Sequence, residues 1–259
     1  MRTAIIIPAR NEAAALGQVL AEIPRGLAHE IIVVDNGSTD ATAEVARRSG
    51  ARVVTEPALG YGRACLAGIA ALDPSADTVV FMDADHSDYP EDLPLLVAPI
   101  QEERADLVIG SRSAQAEAGS LTPQQRVGNT LACALMRLFF GVRYTDLGPF
   151  RAIRRDALMR LQMRDQAFGW TVEMQAKAAL AGLRVVEVLV RYRPRIGRSK
   201  ISGTIRGTIS AGTTIIGTIV SLAWKFRSGL GAVGCGHLPG AQSPEPTANL
   251  EARTSGYHT

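Results

Sequence analysis

The sequence predicts an α/β fold, a largely parallel, doubly wound sheet with flanking helices. Three observations carry that expectation. Strand and helix signals alternate through the first half of the chain. The strand signals are short, β-branched apolar runs such as Thr78-Val79-Val80-Phe81-Met82, the pattern of buried strands. Polar, turn-forming residues recur where those runs end.

Ala4 to Ile7 is the first apolar run; it closes at Pro8-Ala9-Arg10-Asn11-Glu12, and a helix is expected near Ala13 to Ile23. Ile31 to Val34 is the second strand. Asp35-Asn36-Gly37-Ser38-Thr39-Asp40 follows, with the Asx, Gly and Ser content of a turn and an N-cap, before a helix to about Arg48. Arg52 to Thr55 is the third strand, and Gly60-Tyr61-Gly62 opens a helix to about Leu72. Asp77 to Met82 is the fourth, ending at Asp83-Ala84-Asp85, and Asp106 to Ile109 the fifth, ending at Gly110-Ser111-Arg112. Repeated strand-then-helix order predicts parallel pairing.

Beyond Ser113 the pattern loosens. Ser113 to Leu121 is small and polar and reads as a loop, and Pro123 to Phe140 as a helix, followed by Asp146-Leu147-Gly148-Pro149-Phe150-Arg151. Gly169-Trp170-Thr171-Val172-Glu173 leads a helix to about Ala181. Arg184 to Tyr192 is a strand, and a basic loop from Arg193 to Lys200 follows it. From Ser228 onward Gly, Pro, Ser and Thr prevail without periodicity, the composition of a disordered tail. Trp170 and Phe168 read as core, with a place in the wall of a ligand pocket as the alternative.

The chain has 259 residues, 46% hydrophobic and 20% charged, enough for one large domain with a real core. A net charge of +3 is too small to point to nucleic acid. Its distribution is more telling: Arg184, Arg191, Arg193, Arg195, Arg198, Lys200 and Arg206 stand against the single acid Glu187, which points to an anionic ligand or surface. Cys65, Cys133 and Cys235 are far apart, with no metal-type spacing, which fits a reducing compartment. Met1-Arg2-Thr3-Ala4 runs straight into a strand with no signal-peptide block, so a cytoplasmic location is expected.

The most informative residues are Asp83 and Asp85. In open α/β sheets ligands bind at the carboxyl edge of the strands. Two hard oxygen donors there suit a divalent cation carrying a phosphorylated ligand, since Mg²⁺ prefers one or two carboxylates plus substrate phosphates. A solvated turn that caps the next helix is the plainer reading of Asp-x-Asp. The polar ends of four strands, Pro8 to Glu12, Asp35 to Ser38, Asp83 to Asp85 and Ser111-Arg112, would converge on one edge of a parallel sheet.

With these four ordered motifs, residues 1 to 204 resemble family 2 of the glycosyltransferases, with the GT-A fold. The resemblance implies a nucleotide-diphosphate sugar donor, contacted by Pro8, Ala9, Arg10, Glu12, Asp35, Gly37, Gly62, Asp83, Ala84 and Arg112. It also implies Mg²⁺ or Mn²⁺ held by Asp83 and Asp85. By residue chemistry alone, Asp35 reads as an N-cap, and Gly60 and Gly62 as a tight turn opening a helix. Gly60-x-Gly62 lacks the trailing residues of a P-loop.

The second half is similar to the polyprenyl-phosphate sugar synthases, the dolichyl-phosphate mannose synthase group, on Asp83 to Asp85, Gly110 to Arg112, Gly148 to Arg151 and Gly197 to Lys200. Two departures stand out: the turn reads Gly-Pro-Phe-Arg rather than Gly-Phe-Arg, and Ser87 stands where a Gln often contributes near the metal. Many inverting members carry Glu-Asp where this chain has Glu173-Met174, the Asp being the general base. A hydroxyl acceptor needs such a base, whereas a phosphate acceptor is already anionic and needs cations instead. Arg112, Arg126, Arg151, Arg195 and Lys200, with Ser199, are the candidates for holding it. Arg126, Arg151, Asp85 and Glu173 make up the expected catalytic set, Glu173 serving as base if the acceptor is a hydroxyl. His86 reads either as a contact near the metal or as a surface turn histidine.

No charged residue occurs from Gly207 to Trp224, just long enough for a membrane span, but Gly207, Gly212 and Gly217 and several Ser and Thr residues dilute it. Ile205, Ile209, Ile216, Val220 and Ala223 fall near one helical face, and Trp224, Lys225, Phe226 and Arg227 close it. Residues 205–227 therefore read as an amphipathic helix at the membrane interface, with a true span and a packed soluble helix as alternatives. The expectation is an inverting transferase that moves a hexose from a nucleotide sugar to a polyprenyl phosphate, peripheral on the inner face of the cell membrane. Two rivals stay open: a hydroxyl acceptor with the same donor, and a non-catalytic nucleotide-sugar-binding protein.

Overall fold

The computed structural model describes residues 1–197 and 205–228, with side chains of the last helix described from residue 212. The strands are β1 (Thr3–Ala9), β2 (Ala28–Asp35), β3 (Arg52–Thr55), β4 (Thr78–Phe81), β5 (Leu107–Ser111), β6 (Arg151–Arg154) and β7 (Val185–Leu189). The helices are α1 (Ala13–Glu22), α2 (Thr42–Arg48), α3 (Tyr61–Ala70), α4 (Leu93–Gln101), α5 (Pro123–Phe140), α6 (Arg155–Leu161), α7 (Trp170–Leu180) and α8 (Ile205–Arg227).

The strands form one sheet in the order β3-β2-β1-β4-β6-β5-β7. All pairs are parallel except those made by β6, which runs antiparallel to both β4 and β5. The expected α/β fold is present. The strands are apolar at successive positions because both faces are covered. Ile6, Ile32, Val34, Val79, Phe81 and Ile109 pack towards α3, α5, α6 and α7 on one face. Ile5, Ile7, Val33, Val80, Met82 and Val108 pack towards α1, α2 and α4 on the other.

Register places the site. Ala9 pairs with Asp35, and Ile6 with Phe81, so β1, β2 and β4 end on one edge. Because β6 is antiparallel, its first residue, Arg151, pairs with Phe81 and with Ile109, and so begins near that same edge.

Three elements are absent from the sequence expectation. In α4, Pro94 and Pro99 mask the helical pattern; α6 is only two turns long. In β6, Arg151-Ala152-Ile153-Arg154 has two apolar residues between arginines, yet Arg151 is fully buried. By contrast, α5 carries its own signals: Pro123 in the first turn, a reciprocal capping box between Thr122 and Gln125, and Gly141 in the left-handed conformation (φ 71°) at its end.

Helix α8 packs against α5 and α7. Ile219 and Ala223 are buried in that contact, whereas Ile216, Val220 and Trp224 are exposed one turn apart along another face. No helix among the described residues is long and apolar enough to cross a membrane. The expected disordered tail begins at Ser228; from residue 229 onward it lies outside the described residues.

Candidate active site

A cavity of about 580 Å³ opens at the carboxyl edge of β1 and β4. Pro8, Ala9, Arg10 and Glu12 line it from the end of β1; Asp83, Ala84 and Asp85 from the end of β4; and Arg195 from the basic loop. These eight sequence candidates, distant along the chain, meet in one place.

Three carboxylates crowd the end of β4. Burial, and then the neighbouring Asp85 charge, pushes the Asp83 carboxyl up to about 7. Burial, and then Asp83 and Asp85, pushes Asp88 well above the usual carboxylate range, and its buried Oδ1 has no hydrogen-bond partner among the described residues. Such crowding favours whatever brings positive charge. Asp83 Oδ1 accepts a hydrogen bond from the Tyr61 hydroxyl at 3.2 Å. Asp85 Oδ1 accepts from the backbone N–H of Ser87 at 3.0 Å and from its hydroxyl, so the departure at position 87 here orients an acidic side chain.

Among the described residues, no group of three or more His, Cys, Asp or Glu side chains is arranged to hold a metal ion alone. Two hard carboxylates side by side, with like charge to neutralise, nevertheless fit Mg²⁺ or Mn²⁺ completed by the phosphates of a ligand. The residues present suit the ion that the sequence implies.

The loop carrying Arg195 is tied down on both sides. Arg193 N–H donates to the Ser87 carbonyl at 2.9 Å, and Ile196 N–H to the Asp85 carbonyl at 2.9 Å. The Arg193 guanidinium pairs with Glu22, and His86 Nε2 lies 2.9 Å from the same carboxylate. Burial opposes the charge on Glu22, but Arg193 and His86 outweigh it and hold the carboxyl below its usual range. His86 is therefore a buried link between α1 and the β4 turn, neither a surface residue nor part of the cavity wall.

Most described arginines of the basic stretch have acidic partners remote in sequence. Arg184 pairs with Asp106 at 2.8 Å, and Arg191 with Asp92 at 2.6 Å and Glu91 at 3.1 Å. Only for Arg195, among these described arginines, do the acidic partners, Glu12 at 3.2 Å and Asp85 at 3.1 Å, line the cavity.

The other candidates do not line the cavity. Asp35 Oδ1 accepts from Ser38 N–H at 3.1 Å, closing the turn after β2, in which Gly37 takes a positive φ of 69°. Gly62 is buried against residues 165–167: its N–H donates to the Ala167 carbonyl at 3.1 Å, and a Cβ there would lie 2.1 Å from the Asp165 carbonyl oxygen. The start of α3 thus meets backbone carbonyls. Arg112 is bidentate to Asp146, with both contacts at 2.8 Å, and its guanidinium lies 4.9 Å from the Tyr192 ring centre. Arg126 is exposed on the first turn of α5.

Arg151 is fully buried; its guanidinium donates to the Thr171 carbonyl at 2.9 Å and to that of Gly148. Glu173 is buried too. Its carboxylate accepts from Arg164 N–H at 3.0 Å and Asp165 N–H at 2.7 Å, and pairs with Lys177 at 2.7 Å. Ser199 and Lys200 lie outside the described residues.

The sequence reading did not count several residues of the cavity wall among its site candidates. Asn36 takes the Gly60 N–H on its Oδ1 at 2.9 Å and donates to the carbonyls of Glu56 and Ala58, which fastens the 56–60 loop to the end of β2. Tyr61 and Arg63 project from α3, and Gln166, Ala167 and Phe168 complete the far wall. Phe168 therefore belongs to the cavity rather than the core, while Trp170 is core, edge-on to Phe81 with ring centres 5.7 Å apart. The Asn-Gly turn, the Gly-Tyr-Gly helix start and the aromatic character of Phe168 were the marks these residues left in the sequence.

Residues 4–162 match the family described as Glycosyl transferase family 2. The chain belongs to glycosyltransferase family 2. This glycosyltransferase is 44% identical over 209 residues to an uncharacterized glycosyltransferase of Mycobacterium tuberculosis, covering 80% of this chain and 93% of that one. It is 32% identical over 249 residues to an undecaprenyl-phosphate mannosyltransferase of Micrococcus luteus, covering 89% of this chain and 100% of that one. Among solved structures it resembles the glucosyl-3-phosphoglycerate synthase of Mycobacterium tuberculosis, solved in complex with Mn²⁺, UDP and glucosyl-3-phosphoglycerate. The TM-score is 0.70 at 26% identity, covering 86% of this chain and 80% of that one. The glycosyltransferase fold is thus GT-A, as the sequence motifs imply.

Proposed function

We propose that this glycosyltransferase moves a hexose from a nucleotide-diphosphate sugar to a polyprenyl phosphate at a membrane surface, with inversion at the anomeric carbon. The observation that carries the reading is the meeting of Asp83, Asp85 and Arg195 on the wall of one cavity with the β1 end from Pro8 to Glu12. A divalent ion held by Asp83 and Asp85 would neutralise charge on the departing diphosphate. Pro8, Ala9, Arg10 and Glu12 bind the nucleotide, and Tyr61 and Ser87 hold the two carboxylates in position.

An oxygen of the acceptor phosphate attacks the anomeric carbon as the bond to the diphosphate breaks, and the diphosphate leaves with the electron pair. No proton is removed, so no base is required. The engagement of Glu173 with Arg164, Asp165 and Lys177 supports that assignment over a hydroxyl acceptor. Similarity to an undecaprenyl-phosphate mannosyltransferase supports the lipid class.

Membrane contact has support of its own. Ile216, Val220, Trp224 and Phe226 on α8 are exposed, and so are Val127, Leu131 and Leu138 on α5, the helix that α8 packs against. Exposed Lys225, Arg227, Arg126 and Arg137 flank these residues. Exposed apolar side chains on two packed helices, with cations beside them along the chain, suit an anionic lipid surface. The protein would work peripherally on the cytoplasmic face of the cell membrane.

A second reading has one observation in its favour, the structural similarity to a glucosyl-3-phosphoglycerate synthase. A turnover panel separates the two: UDP-glucose, UDP-galactose and GDP-mannose, each with Mn²⁺ and either undecaprenyl phosphate or 3-phosphoglycerate. Labelled hexose should enter the lipid product with one donor and be lost in Asp85→Ala. Transfer to 3-phosphoglycerate alone would overturn the lipid assignment.

A further inference from the structure

Resting on the assignment of Asp83 and Asp85 to the metal, we propose that Arg195 is an internal counter-cation whose hold on Asp85 makes metal binding depend on the donor's diphosphate. Its guanidinium holds an oxygen of one proposed metal ligand: Nη1 lies 3.1 Å from Asp85 Oδ2, and Nη2 lies 3.2 Å from Glu12 Oε1. A divalent ion and a guanidinium on the same carboxylate repel each other, so the ion must bind against that charge or displace it.

The side chain also has somewhere to go. Its Nε is buried without a hydrogen-bond partner among the described residues, and the residue lines the cavity. A diphosphate offers the anionic oxygens that this unused donor lacks, in the geometry a guanidinium fork prefers. The backbone need not move, because hydrogen bonds from Arg193 N–H to Ser87 and from Ile196 N–H to Asp85 anchor the loop on either side. Arg195 therefore turns from Asp85 to the diphosphate as the donor arrives, and the carboxylate is released to the ion. By linkage, the factor by which nucleotide tightens the metal equals the factor by which the metal tightens nucleotide.

The test is a titration of the purified protein with Mn²⁺, following the electron paramagnetic resonance signal of the free ion, with and without UDP. The wild type, Arg195→Gln, Arg195→Lys and Asp85→Asn are compared. Arg195→Gln should bind Mn²⁺ alone about tenfold more tightly than the wild type, the scale of one unit charge a few ångströms away in a partly hydrated site. UDP should then tighten Mn²⁺ less in that variant than in the wild type. Arg195→Lys keeps the charge and should stay close to the wild type.

Unchanged or weaker Mn²⁺ binding in Arg195→Gln, with binding lost in Asp85→Asn, would overturn the counter-cation while leaving the metal assignment standing. Mn²⁺ binding in Asp85→Asn equal to the wild type would remove the assignment, and the proposal with it. A wild-type affinity indifferent to UDP would also overturn the coupling, whatever the variants do.

Discussion

The Tyr61 hydroxyl donates a hydrogen bond to Asp83 Oδ1 across 3.2 Å, joining the first residue of α3 to the acidic turn that ends β4. Tyr61 also forms part of the cavity wall, so one side chain both bounds the site and orients a carboxylate. Burial, and then the Asp83 charge, keeps the phenol protonated well above its usual range, which keeps it a donor.

Tyr61→Phe removes the donor and little volume. A hydrogen bond to a charged group contributes about 1.5–3 kcal/mol. Turnover should therefore fall about tenfold or more at limiting Mn²⁺, with the Mn²⁺ requirement shifted upward and the melting temperature close to the wild type. Steady-state rates across a Mn²⁺ series check it; an unchanged Mn²⁺ requirement would count against the positioning role.

Glu173→Gln separates chemistry from architecture. The carboxylate caps the backbone at Arg164 and Asp165 and pairs with Lys177, all buried or partly buried contacts. Its loss should lower the melting temperature, while kcat falls by less than about tenfold, far below the loss on removing a general base. A fall of several orders of magnitude in kcat, without loss of fold, would favour a hydroxyl acceptor.

Arg151→Met tests a buried cation. Burial lowers the guanidinium pKa to about 10, and the guanidinium donates to the carbonyls of Thr171, inside α7, and of Gly148, in the loop before β6. Losing both bonds, and the donor of the Gly148 carbonyl with them, should cost about 2–4 kcal/mol, read as a lower urea midpoint. Arg126→Gln, at an exposed position on α5, should leave the midpoint unchanged.

Asp146 sets an acid limit to stability. Burial works against its charge, but the Arg112 guanidinium, bidentate at 2.8 Å, outweighs burial and holds the carboxyl below the usual carboxylate range. The folded value is thus depressed, so the stabilisation is complete above the unfolded carboxyl's value of about 3.9 and fades as pH falls through the folded value. Urea midpoints should drop between about pH 4 and pH 2. Asp146→Asn should be less stable at neutral pH and show a shallower drop over that window.

Much of the architecture was legible locally. Pro123, Thr122, Gln125 and Gly141 mark both ends of α5 because caps and turns act within a few residues. The apolar runs of β1, β2 and β4 announced buried strands for a similar reason: each carries its pattern within itself. Strand β6 did not, since Arg151 is buried through carbonyls that only the folded chain supplies. The β1 and β4 ends were recognisable as cavity residues from motif and strand-end position. Asn36, Tyr61 and Phe168 were visible only as a turn residue, part of a helix start and an aromatic read as core, because nothing in their neighbours along the chain reveals what faces them.

The basic stretch shows the divide most plainly. Locally it is a run of cations with one acid, Glu187. In the folded chain, Arg184, Arg191 and Arg193 take carboxylates from Asp106, Asp92 and Glu22, and Arg195 reaches Glu12 and Asp85 at the cavity. The sequence by itself determined the fold class, the acidic end of β4 and the family, all written in short-range patterns. Tertiary structure decided which charges neutralise one another and which line the cavity. Coulombic and hydrogen-bond partners are set by proximity in space, and here they lie up to 183 residues apart along the chain.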